Sequence, residues 1–241
     1  MDTRMIDIVA PVYNEAGNVE KLFDEIEKEI KTEKRVSIIY DFDEDNTLPI
    51  VNQIADNYSF QIRQVKNDLG HGALNAIITG FRNAEYDKVL VVMADLSDKL
   101  DVVDVMAAKL DEGFDLVCGS RYMKGGKQNG GPFLKSLFSR TAGLSLHYFT
   151  RIPTHDVTNS FKMYSKRLLD NITIESSGGF EIGLEITVKA YTQGYSIAEV
   201  PSEWFDRTEG TSNFHMWKWM PKYLKWYFYC IRHSLFGKML K

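Results

Sequence analysis

The N-terminal part of this chain alternates short apolar segments with amphipathic ones, and this alternation limits the possible folds most strongly. It predicts strands at residues 5–11, 36–40, 60–65 and 88–93, with helices between them. Strand–helix repeats of this length form right-handed βαβ units around a mostly parallel sheet. The last of these strands is continuously apolar, as expected at the buried centre of such a sheet. We therefore predict an α/β fold with a doubly wound, mixed sheet.

The first predicted strand ends at Pro11 and delivers the polar loop 13–18. In open α/β sheets, ligands bind at the carboxyl ends of the strands, so this loop is a candidate binding segment. Asn18 is predicted to cap the next helix, whose apolar face consists of Val19, Leu22, Phe23, Ile26 and Ile30. An ordinary strand–turn–helix corner remains the alternative for this segment taken alone.

Two further strands end in acidic loops, at residues 41–45 and 94–98. Parallel strands bring these loops and loop 13–18 to one edge, where carboxylates repel one another unless a cation or ligand donors compensate them. Oxygen ligands suit Mg²⁺ or Mn²⁺, which commonly bind through one or two carboxylates and substrate phosphates. The pattern therefore favours a nucleoside-diphosphate substrate. Asp41 is placed to accept hydrogen bonds from a base, whereas residues 43–45 are open to a second interpretation as a solvated turn.

Composition and missing motifs exclude several other classes of protein. The formal net charge of -4 excludes a globally basic nucleic-acid binder. Cys118 and Cys230 are the only cysteines, which fits a reducing, cytosolic compartment better than a disulfide framework. The first strand–helix turn lacks the G-x-G-x-x-G pattern, and no phosphate loop, nucleophile elbow or zinc signature is present. We expect no signal peptide, and no apolar stretch reaches the ~20 residues that span a bilayer.

A series of motifs follows in a fixed order along the chain. They are Val9-Ala10-Pro11-Val12-Tyr13-Asn14-Glu15, Tyr40-Asp41 through Asp45 and Thr47, Asn67 to Ala73, Ala94-Asp95, Gly119-Ser120-Arg121-Tyr122 with Gly125-Gly126, Asp156 to Lys162, Glu199-Val200-Pro201 and Asp206-Arg207. Together they resemble the inverting family 2 glycosyltransferases of the GT-A fold, and within them the dolichyl-phosphate mannose synthase subgroup. The resemblance runs from about Met5 to Asn213.

This resemblance implies that one sugar moves, with inversion, from a nucleotide sugar to a polyprenyl or dolichyl phosphate. The donor would be GDP-mannose or a UDP-sugar. The implied nucleotide-binding residues are Pro11, Tyr13, Glu15, Asp41, Ala94 and Asp95. Two competing readings stay open: transfer to a saccharide hydroxyl in cell-envelope polysaccharide synthesis, and a catalytically weakened protein that binds nucleotide sugars.

The implied catalytic residues are Asp95, Arg121, Asp156 and Arg207. A metal on Asp95, with Ser97 and also Asp98 as candidate ligands, would stabilise the departing diphosphate together with the two arginines. An ionised lipid phosphate needs no general base, whereas a sugar hydroxyl would need one, for which Asp156 is the candidate.

The chain departs from the family pattern at several of these positions. Met93 stands at the first carboxylate of the metal-binding D-x-D motif and is no ligand for a hard cation. Asp95, with Ser97 or Asp98, would then hold Mg²⁺ or Mn²⁺, and the alternatives are a low affinity for the ion or an ion that the reaction does not need. Ser160 and Lys162 replace a glycine and an arginine, and lysine keeps the charge but loses the bidentate fork.

The last part of the chain differs in composition from the rest, so we predict a catalytic domain at 1–210 and a tail at 211–241. The tail contains no acidic residue and alternates lysines with aromatic side chains. Pro221 suits the first turn of a helix, and a basic aromatic helix can lie among membrane headgroups. We expect a peripheral protein on the cytoplasmic face of a membrane. The alternatives are that Trp217, Trp226 and Phe228 pack on the domain, or that the aromatic residues form a homo-oligomer contact.

The predicted helix at 133–149 also carries apolar residues: Leu134, Leu137, Phe138, Leu144 and Leu146. They predict a core helix or one wall of an acceptor groove rather than a membrane anchor.

Overall fold

The structure, a computed structural model, describes residues 5–206 and 216–236. In these residues the strands are β1 (Ile6–Pro11), β2 (Lys34–Tyr40), β3 (Gln61–Lys66), β4 (Lys88–Val91), β5 (Leu116–Ser120), β6 (Lys127–Asn129), β7 (Lys162–Ser165), β8 (Ile197–Pro201) and β9 (Glu203–Phe205). The α-helices are α1 (Val19–Glu29), α2 (Thr47–Ile54), α3 (Ala73–Asn83), α4 (Val103–Asp111), α5 (Phe133–Thr150), α6 (Lys166–Asn171), α7 (Ile182–Gln193) and α8 (Met216–Phe236).

The strands form a mixed sheet in the order β3-β2-β1-β4-β7-β5-β8, and β6 pairs with β9 beside it. β7 runs antiparallel to both neighbours, whereas the remaining pairs are parallel. The predicted fold class is confirmed. Because β2, β1 and β4 are adjacent and parallel, their polar carboxyl ends meet at one edge, as the sequence predicted.

Buried side chains cover both faces of the sheet and form two apolar layers. The predicted apolar face of α1 is buried, with Phe23 and Ile26 fully enclosed. The predicted cap by Asn18 is wrong, since its side chain donates to Glu15 Oε2 at 2.7 Å instead of accepting from the helix. The Asn18 backbone is already near helical geometry, whereas a capping residue normally has an extended backbone.

The two halves of α5 differ in burial. Leu146 in the C-terminal half is fully buried, but Leu134, Leu137 and Phe138 are 54%, 47% and 44% exposed. The prediction of a core helix is therefore wrong for the N-terminal half. In this half, Ser136 and Ser139 make hydrogen bonds to the rest of the protein.

The tail helix α8 packs against α5 and α7. Trp226 and Cys230 are buried in a third apolar cluster with Leu146 and Val188. The prediction that Trp226 packs is confirmed, whereas Phe228 is 60% exposed. Arg207, residues 211–215 and the side chain of Trp217 lie outside the described residues.

Pro221 lies inside α8 rather than in its first turn. The helix begins further upstream, at Met216, and Trp219 lies against Gly179, where an added Cβ would approach the Trp219 ring to 2.8 Å. This contact stabilises a turn before the proline. In the parts of the chain that the structure describes, no helix combines the length and apolarity needed to cross a membrane.

Candidate functional site

A cavity of about 770 Å³ opens at the carboxyl edge of the sheet. Of the residues that sequence reasoning selected, it is lined by Pro11, Tyr13, Glu15, Asp41, Ala94, Asp95, Ser97 and Arg121. Asp98 and Asp156 lie behind this lining and contact it. The opposite wall comes from α5, α8 and the loop before α7. The sheet edge therefore forms one side of a site whose other side is helical.

Loop 13–18 is fixed in position by the start of α2. The amides of Asn14 and Glu15 donate to Asp45 Oδ2 at 3.0 Å and to Thr47 Oγ1 at 2.9 Å. Tyr13 is 59% exposed, and its ring meets that of Phe42 edge to face at 5.6 Å. The exposed aromatic ring next to the sheet edge can stack on a planar ligand such as a base.

Asp41 holds the loop between β3 and α3. Its Oδ1 accepts from Asn67 Nδ2 at 2.7 Å, and its Oδ2 accepts from the amide of Gly72 at 2.8 Å. The His71 ring lies 3.9 Å from the same Oδ2. Each oxygen keeps one lone pair, so Asp41 can shape the loop and still accept a hydrogen bond from a ligand.

In the acidic segment after β2, Asp43 and Asp45 have different environments. Asp43 is exposed and pairs with Lys66 at 2.5 Å, as the interpretation of a solvated turn predicts. Asp45 is buried, with its oxygens bound to the amides of Asn14 and Thr47. It links two loops, and the surrounding amide donors compensate its charge.

Asp95 lies in a tight turn after β4. Its Oδ1 accepts from the amide of Ser97 at 3.2 Å, and Leu96 between them has a left-handed backbone with φ 58°. Met93 lines the same cavity, as the departure from the D-x-D motif suggested. In residues 5–206 and 216–236, no three His, Cys, Asp or Glu side chains gather into a metal site. A divalent cation here would need substrate phosphate oxygens to complete its shell.

Asp98 is 5% exposed and accepts from Asn159 Nδ2 at 3.4 Å. Burial raises the pKa of Asp98 to about 7, and the Arg121 charge opposes this rise only in part. The position of Asp98 behind the cavity wall does not support the prediction that it is a metal ligand.

Arg121 and Asp156 form a buried ion pair at the centre of the site. The Arg121 Nε and Nη2 atoms donate to the two carboxylate oxygens at 2.6 and 3.0 Å. Burial works against both charges, but the mutual attraction outweighs it, raising the pKa of Arg121 and lowering that of Asp156. Both groups are therefore ionised at neutral pH, and the cation is the member that reaches the cavity.

The Asp156 carboxylate is surrounded by donors. Besides the Arg121 side chain, the amides of Arg121, Thr158 and Asn159 and the Thr158 hydroxyl donate to it. A carboxylate with this many donors and a lowered pKa is a poor proton acceptor. These contacts favour Asp156 as the group that orients Arg121 over a role as general base.

Lys162 lies beneath the same loop and is fully buried. Its Nζ donates to the carbonyl oxygens of Val157, at 3.2 Å, and Asn159. Burial lowers the pKa of Lys162. Lys162 therefore stabilises loop 156–160 by donating to single backbone carbonyl oxygens. These contacts do not need the bidentate guanidinium of the arginine that the family has at this position.

Sequence reasoning missed the polar side of α5. Lys135, Ser136, Ser139 and Ser145 line the cavity, and Ser139 Oγ accepts from Arg121 Nη2 at 3.0 Å. Lys135, Ser136 and Ser139 are one and three positions apart, so they share one face of the helix. This polar periodicity was visible in the sequence, but the apolar residues between these positions dominated the interpretation of the segment.

Comparisons with known proteins agree with this architecture. The model of the family "Glycosyl transferase family 2" matches residues 7–173. Glucosyl-3-phosphoglycerate synthase from Mycobacterium tuberculosis, solved with Mn²⁺, UDP and glucosyl-3-phosphoglycerate, superposes with a TM-score of 0.64. The identity is 16%, and the match covers 97% of this chain and 79% of that one. At this identity the likeness shows the fold.

Two curated relatives are closer in sequence. The dolichol-phosphate mannosyltransferase of Pyrococcus furiosus is 28% identical over 213 residues, or 86% of this chain. The match covers 58% of that relative, so the chain spans little more than half its length. The polyprenol monophosphomannose synthase of Mycolicibacterium smegmatis is 25% identical over 211 residues, covering 85% of this chain and 79% of the relative. With most of its length matched by the family model, the chain belongs to glycosyl transferase family 2.

Proposed function

We propose that this protein transfers a hexose, with inversion, from a nucleoside-diphosphate sugar to a polyprenyl phosphate. The observation that carries the proposal is the position of Arg121. Its buried, ionised guanidinium lines a cavity with the predicted nucleotide-binding residues on one side and the helices α5 and α8 on the other. The names of the two curated relatives support the same pair of substrates.

The nucleotide would lie along the sheet edge, where Tyr13 offers an aromatic face and Asp41 an acceptor for base N–H groups. A Mg²⁺ or Mn²⁺ ion held by Asp95 and the diphosphate, with Ser97 nearby, would neutralise charge on the leaving group. Met93 offers no second hard ligand, so we expect this ion to bind mainly through the nucleotide.

In the transfer step, a phosphate oxygen of the acceptor forms a bond to the anomeric carbon. The bond from that carbon to the diphosphate breaks, and the nucleoside diphosphate leaves with the electron pair. A phosphate monoester has a second pKa of about 6, so its oxygen is already ionised near pH 7 and no proton has to move. The engaged state of Asp156 fits this chemistry better than transfer to a sugar hydroxyl, which needs a general base.

The lipid part of the acceptor would meet the outer faces of α5 and α8. Neither helix contains an acidic residue, and both expose large apolar side chains. The most exposed are Phe133, Leu134, Tyr148, Phe149, Phe228, Leu235 and Phe236. Ser145 and Tyr227 join the two helices through a 3.0 Å hydroxyl contact, and Phe138 and Leu224 line the cavity. We propose that these two faces rest on a membrane, on its cytoplasmic side.

The Phe133→Ser and Phe228→Ser variants test the membrane contact. Each is expected to weaken binding to anionic phosphatidylglycerol vesicles about tenfold, because a phenylalanine inserted into the interface contributes ~1.5–3 kcal/mol. Val105→Ser is the matched control, since Val105 is 51% exposed on α4, away from both helices. Vesicle sedimentation measures the affinity. Unchanged binding by both phenylalanine variants would instead favour an oligomer contact, which their sedimentation velocity would reveal.

A nucleotide panel tests the donor site. A matching nucleoside diphosphate at a hundredfold excess over its Kd is expected to add ~2.7 kcal/mol of stability, or about 5–10 °C in Tm. We expect the shift with GDP or UDP species, and a larger one with Mn²⁺ present. The transfer itself is tested by incubating the protein with the stabilising nucleotide sugar and a polyprenyl phosphate, followed by mass spectrometry of the lipid.

The two assays separate the outcomes. Absence of a shift with every nucleotide would contradict the donor site. A Tm shift with a nucleotide but no lipid-linked sugar product would favour a protein that binds nucleotide sugars without transferring them. The replacement of a metal-binding carboxylate by Met93 is consistent with such a protein.

A further inference from the structure

The N-terminal half of α5 forms a wall of the site without being part of the apolar core. None of residues 133–142 is buried, whereas Gly143, Leu146 and Thr150 in the other half are. At Gly143 the helix touches the loop that carries Asp156, since an added Cβ would lie 2.2 Å from the His155 carbonyl oxygen. Polar contacts must therefore do most of the positioning of the half before Gly143.

Those contacts form a chain of hydrogen bonds that we call the α5 clasp. Its members are Arg121, Ser139, Tyr122, Gln128 and Ser136. Tyr122 Oη lies 2.8 Å from both Gln128 Oε1 and Ser139 Oγ. Gln128 is oriented by its amide nitrogen, which donates to Ser136 Oγ at 2.5 Å.

The hydroxyl groups of Tyr122 and Ser139 connect α5 to Arg121. Gln128 Oε1 can only accept, so the single proton of Tyr122 is donated to it. Ser139 Oγ accepts from Arg121 Nη2 at 3.0 Å, and it lies 2.8 Å from Tyr122 Oη and 2.5 Å from Thr158 Oγ1. The Ser139 proton serves one of these two oxygens, so Ser139 lies between the cation and two hydroxyl neighbours.

The Tyr122 ring makes a second contact with the cation. The Arg121 guanidinium carbon lies 4.9 Å from the ring centroid, within the range of a cation–π interaction. Burial raises the pKa of Tyr122, so the phenol stays protonated and keeps its donor role. Tyr122 thus contacts the cation through its ring, and through its hydroxyl it contacts Ser139 on α5 and Gln128, the partner of Ser136.

We propose that Tyr122 is a positioning residue that fixes the N-terminal half of α5 against Arg121 and thereby shapes the acceptor side of the cavity. This inference rests on the proposed function for its link to the acceptor, but its structural part does not. The phenol acts through Ser139 and Gln128 and leaves the sheet edge, where the nucleotide would lie, untouched.

Tyr122→Phe is the decisive variant, since it keeps the ring and removes the hydroxyl. With a short-chain polyprenyl phosphate, the KM for the acceptor is expected to rise about fivefold, the effect of one lost hydrogen bond. The kcat and the KM for the nucleotide sugar should stay within about twofold. Tyr191→Phe is the matched control, because the Tyr191 hydroxyl donates to the Thr150 carbonyl in the C-terminal half of α5. It should leave both KM values unchanged.

A double-mutant cycle tests the route through Ser139. If Tyr122 acts through it, Tyr122→Phe/Ser139→Ala should have the same acceptor KM as Ser139→Ala alone. Additive increases of the acceptor KM in the double variant would overturn the proposed route through Ser139. Equal changes in the KM values for acceptor and nucleotide sugar would overturn it as well.

Hydrogen–deuterium exchange decides the structural part without any substrate. Tyr122→Phe should speed exchange in residues 133–142 about fivefold and leave residues 146–150 unchanged. Unchanged exchange in 133–142 would overturn the inference. If the wild-type protein fails to glycosylate a polyprenyl phosphate, the proposed function fails, and this exchange result still decides whether the α5 clasp exists.

Discussion

Replacing Arg121 by methionine is expected to lower turnover about a thousandfold, the scale seen when a preorganised cation or donor is removed from a transferring centre. The guanidinium is 9% exposed and ionised, and it lines the cavity in which the proposed reaction would move negative charge from the acceptor phosphate to the leaving diphosphate. In such a poorly solvated position its attraction for phosphate oxygens is strong. Initial rates at saturating donor concentration measure the effect. The turnover of Arg121→Lys should lie between those of the wild type and Arg121→Met, because lysine keeps the charge but loses the bidentate fork of the guanidinium.

The same substitution has a structural cost that must be separated from catalysis. Arg121→Met leaves the buried Asp156 carboxylate without its cation, which destabilises a fold by ~3–5 kcal/mol. The double variant Arg121→Met/Asp156→Leu removes both charges, so its Tm should return towards that of the wild type. If this variant folds, binds the nucleotide and remains inactive, Arg121 has the catalytic role. Recovery of turnover to within about tenfold of wild type would refute that role.

Replacing Asp95 by asparagine is expected to lower turnover about a hundredfold or more, because a cation on the leaving group contributes several kcal/mol. Asp95 is the predicted metal ligand whose carboxylate lines the cavity. The neighbouring Met93 cannot replace it, because a thioether does not bind a hard cation. The added Tm shift that Mn²⁺ gives with the nucleoside diphosphate should also disappear.

Asp43→Asn provides the matched control for that experiment. Asp43 follows β2, which β1 separates from β4, at the same edge of the sheet, but it is exposed and paired with Lys66. It should change neither turnover nor the effect of Mn²⁺. Full activity of Asp95→Asn, or an equal loss in Asp43→Asn, would contradict the assignment of the metal to Asp95.

Much of the sheet and its binding edge could be predicted from the sequence, because both depend on local patterns. The continuous apolar run at Lys88–Val91 is the signature of a buried parallel strand. The polar residues directly after such strands must then meet at one edge, whatever the packing of the helices. Pro11, Asp41 and Asp95 were found in this way, and all three line the cavity.

The helical side of the site could not be predicted with the same success. The apolar residues of α5 suggested a core helix or one wall of an acceptor groove. Leu134 and Phe138 are exposed, and Phe138 and the serines line the cavity. A hydrophobic pattern identifies the two faces of a helix but does not say which protein surface, if any, covers the apolar one. The position of α8 had the same ambiguity, and Trp226 packs while Phe228 does not.

The sequence by itself determined the family and the edge of the sheet at which the polar loops after β1, β2 and β4 meet, since these follow from short-range patterns and chain direction. Only the tertiary structure decided which charged side chains are buried, which are paired and how their pKa values shift. Asp156 and Arg121 are 35 positions apart in the chain, and their pairing keeps both ionised although both are buried, with the Arg121 cation lining the cavity. Burial raises the pKa of Asp98 to about 7, which its sequence neighbours do not reveal. The energy of a charge depends on its distance to other charges and to water, and folding sets both of these distances.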